Sequence, residues 1–200
     1  DLVLISHAHM DHFDPATLRC LSGKPRAITA RSTADLFRGT RLKHPIELGW
    51  GDKTRVTTAH GDVDIEAFEV NHWGARWKYD RKRGYTGYIL RREGKKIIFG
   101  GDPAWTDSFR SLRSKGPFEF AMMPIGAYAP WIFAHCSPEQ AVRMVCDGEI
   151  ISRNGKKVKI DVHTLCVHGD EATGVAVARQ IRASLENAGV SIVPLPEMRL

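Results

Sequence analysis

Two hundred residues can bury one substantial core with a small appendage. With 42% hydrophobic and 26% charged residues, the composition is that of an ordinary globular protein, neither disordered nor collagen-like. No stretch reaches the roughly 20 apolar residues of a membrane-spanning helix, and the net charge of +6 favours an anionic substrate only weakly.

Leu2 to Ile5 is an apolar run short enough for a buried strand, and it empties into Ser6-His7-Ala8-His9-Met10-Asp11-His12. In an extended segment His7 and His9 share a side, and Asp11 and His12 follow where the chain must turn. Neutral imidazoles and a carboxylate on one small volume suit a divalent cation such as zinc. A histidine-rich surface turn is the bland alternative. Pro15 to Leu21 reads as a short helix capped by Asp14. Ala27 to Thr29 is strand-like, and Ser32 or Thr33 caps a second short helix through Phe37. Pro45–Leu48 and Thr54–Ala59 follow as strands. A turn at Gly61-Asp62 leads into Val63 to Val70, where apolar and acidic residues alternate as in a half-buried antiparallel strand.

That strand delivers His72, with Asn71, Trp73 and Gly74 around it. The basic run Arg76 to Arg83, which includes Trp77 and Tyr79, reads as a solvated loop near the site rather than a nucleic-acid surface. Tyr85–Leu90 and Lys95–Phe99 form a hairpin turned at Glu93-Gly94. Gly100 and Gly101 let the backbone approach a site closely, and Asp102 follows, held extended by Pro103. Thr106 to Arg113 is helical, and Phe118 to Met123 is a buried strand leading into Pro124-Ile125-Gly126-Ala127-Tyr128-Ala129-Pro130. Further on come His135, a hairpin through Asn154-Gly155, and the segment Thr164 to Asp170 that contains His168. A helix from Ala172 to Asn187, with Val177, Ile181, Leu185 and Ala188 on one face, ends at Gly189. The four cysteines, Cys20, Cys136, Cys146 and Cys166, show no CxxC spacing and read as reduced thiols of a cytoplasmic protein.

His7-Ala8-His9-Met10-Asp11-His12 resembles the HxHxDH signature of the metallo-β-lactamase superfamily. The motifs around His72, Asp102, Tyr128 and His135 are similar, in order, to the branch of N-acyl-phosphatidylethanolamine-hydrolysing phospholipase D, from residue 1 to about 141. The resemblance implies an α/β fold, the αββα sandwich, here N-terminally truncated because its usual first strands have no sequence to build them. Sheet edges left open in that way would favour homo-oligomers. Residues 142–195 resemble instead the end of the LamB/YcsF family, which forms part of ATP-dependent 5-oxoprolinase, as an atypical hairpin-strand-helix segment. The expected division is therefore 1–141 and 142–200.

By the same resemblance, His7, His9 and His72 would hold one metal, and Asp11 and His12 the second, with Asp102 bridging. Two zinc ions are expected, and the ligand types also admit iron or manganese. His168 could complete the second shell, belong with Asp170 to the other family's site, or form a helix-start turn without a metal. Asp11 and His135 are the candidate catalytic groups, and Trp73 and Tyr128 the candidate substrate contacts. The implied reaction is attack by metal-bound hydroxide on a phosphodiester, with amide and lactone as rivals, in a small-molecule or lipid-like substrate, anionic by preference. No nucleic acid is expected as partner. A non-catalytic metal-binding domain and a 5-oxoprolinase-related fragment remain the alternative readings.

Overall fold

The computed structural model describes residues 1–103, 106–122, 124, 138–151, 157–159, 162, 164, 165, 167, 174–194 and 197. The chain divides into two compact units, residues 1–123 and 124–200.

The first unit carries both sheets that matter for the site. Strands β1 (Leu2–Ile5), β2 (Arg26–Ala30) and β3 (Ile46–Leu48) pair in parallel in that order. Between β1 and β2 lies α1 (Pro15–Cys20), whose first free N–H groups, those of Ala16 and Thr17, donate to the Asp14 carboxylate at 3.1 and 2.9 Å. The second sheet has the order of the chain: β4 (Lys53–Thr58), β5 (Gly61–Phe68), β6 (Gly87–Arg92), β7 (Lys95–Phe99) and β8 (Phe120–Met122). Its pairings are antiparallel except for the parallel β7–β8 edge. Glu93 and Gly94, with φ of 51° and 79°, make the two-residue turn whose positive φ values match the twist of a hairpin.

Alternation along the strands sorts the core into layers. Ile28, Leu48, Val56, Ile65, Ala67 and Tyr88 pack between the two sheets. Ala27, one residue from Ile28, turns the other way to join Ile5, Phe13, Leu18 and Phe37 beneath α1 and the 3₁₀ turn Ala34–Phe37. Ile89, one residue from Tyr88, joins Phe68, Ile98 and Leu112 beneath a second 3₁₀ segment, Asp107–Lys115. The result is the αββα arrangement of layers.

Four local expectations need correction. The second short helix is a single 3₁₀ turn, and Thr33 does not cap it through its side chain. The Glu47 carboxylate, reaching across from β3, accepts from Thr33 N and Ala34 N instead. Glu66 does not face water as alternation in β5 suggested; it is buried, with Lys115 and Arg91 paired to its carboxylate. The helix expected from Thr106 to Arg113 is a 3₁₀ helix, Asp107–Lys115, with Thr106 as its cap. Strand β8 is mostly exposed at the sheet edge, not buried.

In the second unit, α2 (Pro138–Asp147) precedes the antiparallel pair β9 (Glu149–Ile151) and β10 (Lys157–Lys159). Helix α3 (Gly174–Asn187) buries Ile181 and Leu185, with Val177 half-buried and Ala188 exposed beyond its end. Gly189 at φ 81° and the Val190 N–H donating to Leu185 O close that helix with a left-handed C-terminal turn. Asn154-Gly155 and Ala172 lie outside the described residues. No helix among the described residues is long and apolar enough to cross a membrane.

Candidate metal centre

Strand β1 ends at Ile5, so His7 and His9 stand in the loop after it rather than on an extended strand. Their convergence comes from the turn that follows, where His12 N and Phe13 N both donate to His9 O. Strand β5 ends at Phe68, and four residues later His72 arrives from the other sheet. The ring nitrogens His7 Nε2, His9 Nδ1 and His72 Nε2 then form a triangle with sides of 2.9, 3.1 and 3.3 Å. A tetrahedral zinc ion with Zn–N of 2.0–2.1 Å places its nitrogen ligands about 3.3 Å apart. Three lone pairs aimed at one point suit a single cation, whereas N–H···N pairing can use such a triangle only in part. Burial, working against the raising influence of Asp11 and Asp102, holds the His9 imidazole below its ordinary pKa and so in the neutral, ligating form. These residues fit a divalent cation.

A second group lies beside the first. His7, His12 and Asp102 offer ligand atoms within 4.8 Å of one another. Asp11 Oδ2 is 3.2 Å from His12 Nε2. Asp102 Oδ2 stands between the groups, 3.8 Å from His72 Nε2 and 3.9 Å from His12 Nε2. Trp73 covers the outer side, its ring centroid 4.8 Å from that of His9, and is itself well exposed. The structure thus brings together His7, His9, Asp11, His12, His72, Trp73 and Asp102. Tyr128, His135 and His168 lie outside the described residues.

Close packing behind the centre depends on residues of little bulk. Gly101, at φ 70°, would set a Cβ 2.5 Å from the Ser6 Cβ, so the close approach expected here is real at Gly101. Gly74 passes so near the backbone of Arg83 and Gly84 that a Cβ would lie 2.3 Å from Arg83 O. Three supporting residues escaped the reading of the sequence. Ser6 Oγ lies 2.9 Å from His7 Nδ1. Arg76 Nη1 donates to Ala8 O and Phe13 O, at 2.9 and 2.8 Å, across the ends of the loop that carries the candidate ligands. Buried Tyr88 donates its hydroxyl to Ile5 O at 2.9 Å, tying β6 to the end of β1. Only Ser6, immediately before the first histidine, carried a signal that spacing could have caught.

The beta-lactamase superfamily domain matches residues 1–164. The chain belongs to that family. Among solved structures, Igni18, a metallo hydrolase from Ignicoccus hospitalis, superposes with a TM-score of 0.53 at 24% identity, over 71% of this chain and 57% of that one. Zn(2+)-bound PqqB from Methylobacterium extorquens gives a TM-score of 0.53 at 13% identity, over 96% and 70%. These likenesses establish the metallo-β-lactamase fold. An uncharacterized protein of Mycobacterium tuberculosis is 28% identical over all of this chain and 54% of its own length. A mitochondrial N-acyl-phosphatidylethanolamine-hydrolyzing phospholipase D of Saccharomyces cerevisiae is 28% identical over 74% of this chain and 34% of its own. The chain therefore spans about half the length, or less, of these curated relatives. The LamB/YcsF family matches residues 134–200, overlapping the end of the first match. There a 5-oxoprolinase subunit from Rhodopseudomonas palustris is 45% identical over 56 residues, 28% of this chain and 22% of its own. Both resemblances read from the motifs are thus found in the chain, in the order expected.

Proposed function

We infer that this protein is a dinuclear metal-dependent hydrolase, and the imidazole triangle of His7, His9 and His72 is the observation that carries the reading. One cation would be held by those three nitrogens and a second by Asp11 and His12, with Asp102 Oδ2 shared. Zinc is the ion best suited to a histidine-rich set, and the zinc-bound PqqB neighbour supports it. When bound, such ions supply a water of lowered pKa and stabilise negative charge developing on the substrate oxygens. Asp11, beside His12 and partly open to solvent, would orient a nucleophilic water by accepting its hydrogen bond. Trp73 offers a flat apolar wall to the substrate body. His135 stays a candidate catalytic group and Tyr128 a candidate substrate contact, on the resemblance, and His168 is one candidate for the last ligand beside its two other readings.

The substrate class favoured is a small or lipid-like phosphodiester, in keeping with the phospholipase D relatives, with amides and lactones as the rivals. We read residues 1–141 as the hydrolase part and 142–200 as a LamB/YcsF-like extension. The free thiols of Cys20 and Cys146 accord with a reducing, cytoplasmic setting.

Elemental analysis of chelator-free protein, followed by assay against matched phosphodiester, anilide and lactone substrates, tests this. Two metals per chain and metal-dependent turnover of one class are expected. Protein that takes up no metal from a zinc buffer overturns the reading.

A further inference from the structure

A cavity of about 610 Å³ opens beside His72, walled by Trp73, Lys78, Arg81, Arg83 and Tyr85. That volume lies in the range that holds small organic ligands. The cations around it are not equivalent. Arg83 is buried and already neutralised, held by Asp35 and Asp80. Its task is to pin the loop: it also donates to Ser32 O at 2.9 Å. Lys78 and Arg81 are exposed, and neither has an ion-pair partner among the described residues. Lys78 Nζ rests 5.5 Å above the Tyr79 ring, a contact that leaves its three N–H donors open to solvent or ligand. Between residues 76 and 83 there are five basic side chains and one acidic one, Asp80, which Arg83 takes. The cavity therefore has a positive wall without a counter-charge among the described residues, next to aromatic faces on Trp73 and Tyr85 and next to a candidate ligand, His72.

The geometry points to an anion-recognition subsite, in which Lys78 and Arg81 bind a phosphate group of the substrate while Trp73 and Tyr85 cover its apolar body. That the bound group belongs to a substrate rests on the hydrolase reading above; that the cavity binds phosphate does not. A guanidinium offers a planar fork to two phosphate oxygens and an ammonium a compact point charge, so the pair can hold one anion from two sides. A soluble phosphate ester and a lipid headgroup present the same oxygens, and the two sources are told apart by experiment.

The test is calorimetric titration of phenyl phosphate, with benzyl alcohol as its neutral counterpart, into purified protein whose metal content is measured in parallel. The double variant Lys78→Ala, Arg81→Ala should bind phenyl phosphate on the order of tenfold more weakly. Metal content and benzyl alcohol binding should stay unchanged. The exchange Lys78→Arg, Arg81→Lys should restore most of the affinity. A parallel sedimentation assay with phosphatidylcholine vesicles, with and without phosphatidic acid, separates the sources. Charge-dependent loss confined to vesicles assigns the subsite to a headgroup, and loss confined to phenyl phosphate assigns it to soluble esters. Equal binding by parent and double variant in both assays overturns the subsite. Protein that holds no metal yet loses phenyl phosphate affinity on the double substitution keeps the subsite and removes the hydrolase reading alone.

Discussion

Ser6 and His7 are joined side chain to side chain, the serine oxygen 2.9 Å from Nδ1, while Nε2 of the same ring faces His9 and His72. With the hydroxyl oxygen accepting from Nδ1–H, the ring is fixed in the tautomer that leaves Nε2 unprotonated for a cation. Ser6→Ala should therefore weaken metal binding by about 10- to 100-fold without changing its stoichiometry. Competition against a chromogenic zinc chelator measures it, and an unchanged affinity would show that packing alone orients His7.

Arg76 acts on the same loop from outside. By donating to Ala8 O and Phe13 O it holds both ends of the segment that carries His9, Asp11 and His12. Arg76→Ala removes two charge-assisted hydrogen bonds, both donated by Nη1, and Arg76→Lys keeps the charge but on a shorter stem. Both variants should lose the more weakly held metal first, so elemental analysis should fall from two ions towards one. Equal metal content in both variants and parent would reduce Arg76 to a surface contact.

Gly101 faces Ser6 at a distance that admits no Cβ and holds φ at 70°. Gly101→Ala combines backbone strain with overpacking, a cost of about 2–4 kcal/mol. A lowered midpoint in urea, with the slope unchanged, is the expected signature. Gly94, whose added Cβ would meet nothing within 4 Å, serves as a control that carries the strain without the clash.

Glu66 gives the fold a defined response to acid. Burial pushes its carboxyl up, but Lys115 and Arg91 outweigh that and hold it below the ordinary 4.5. A depressed carboxylate stabilises the folded state fully above its unfolded pKa, and that contribution disappears as pH falls through the lower folded value. Glu66→Gln should cost about 1–3 kcal/mol at neutral pH, and the deficit should shrink below about pH 4.5. Denaturation curves across that range decide it. A deficit independent of pH would mean that the loss is one of packing.

Much of the site was legible because the strands that deliver it are short and end in residues no core would choose. Apolar Leu2 to Ile5 followed by the histidines announces itself by composition, whereas Gly100-Gly101-Asp102 after β7 stands out through its resemblance to the superfamily's motif. What the sequence hid was long-range. Glu66 sits in an alternating strand and looks solvent-facing, yet Lys115 and Arg91 reach it from a 3₁₀ segment and a neighbouring strand. Thr33 precedes a helical turn and looks like its cap, yet Glu47, fourteen residues on, takes that place. The basic run from Arg76 to Arg83 reads as one solvated loop, yet its arginines divide into a clasp, a pin and an open wall. In each case the partner is set by tertiary geometry, which local pattern does not encode.

The three imidazoles come from the ends of two different sheets, with His7 and His72 lying 65 positions apart in the chain. An ion bound there would cross-link the sandwich at one end, as a disulfide would, but reversibly and at a strength set by the solution. Every tenfold rise in free metal above its dissociation constant adds about 1.4 kcal/mol to the folded state. Chelation would then act on this fold as a mild denaturant does, and its melting temperature would serve as a gauge of the ion concentration around it.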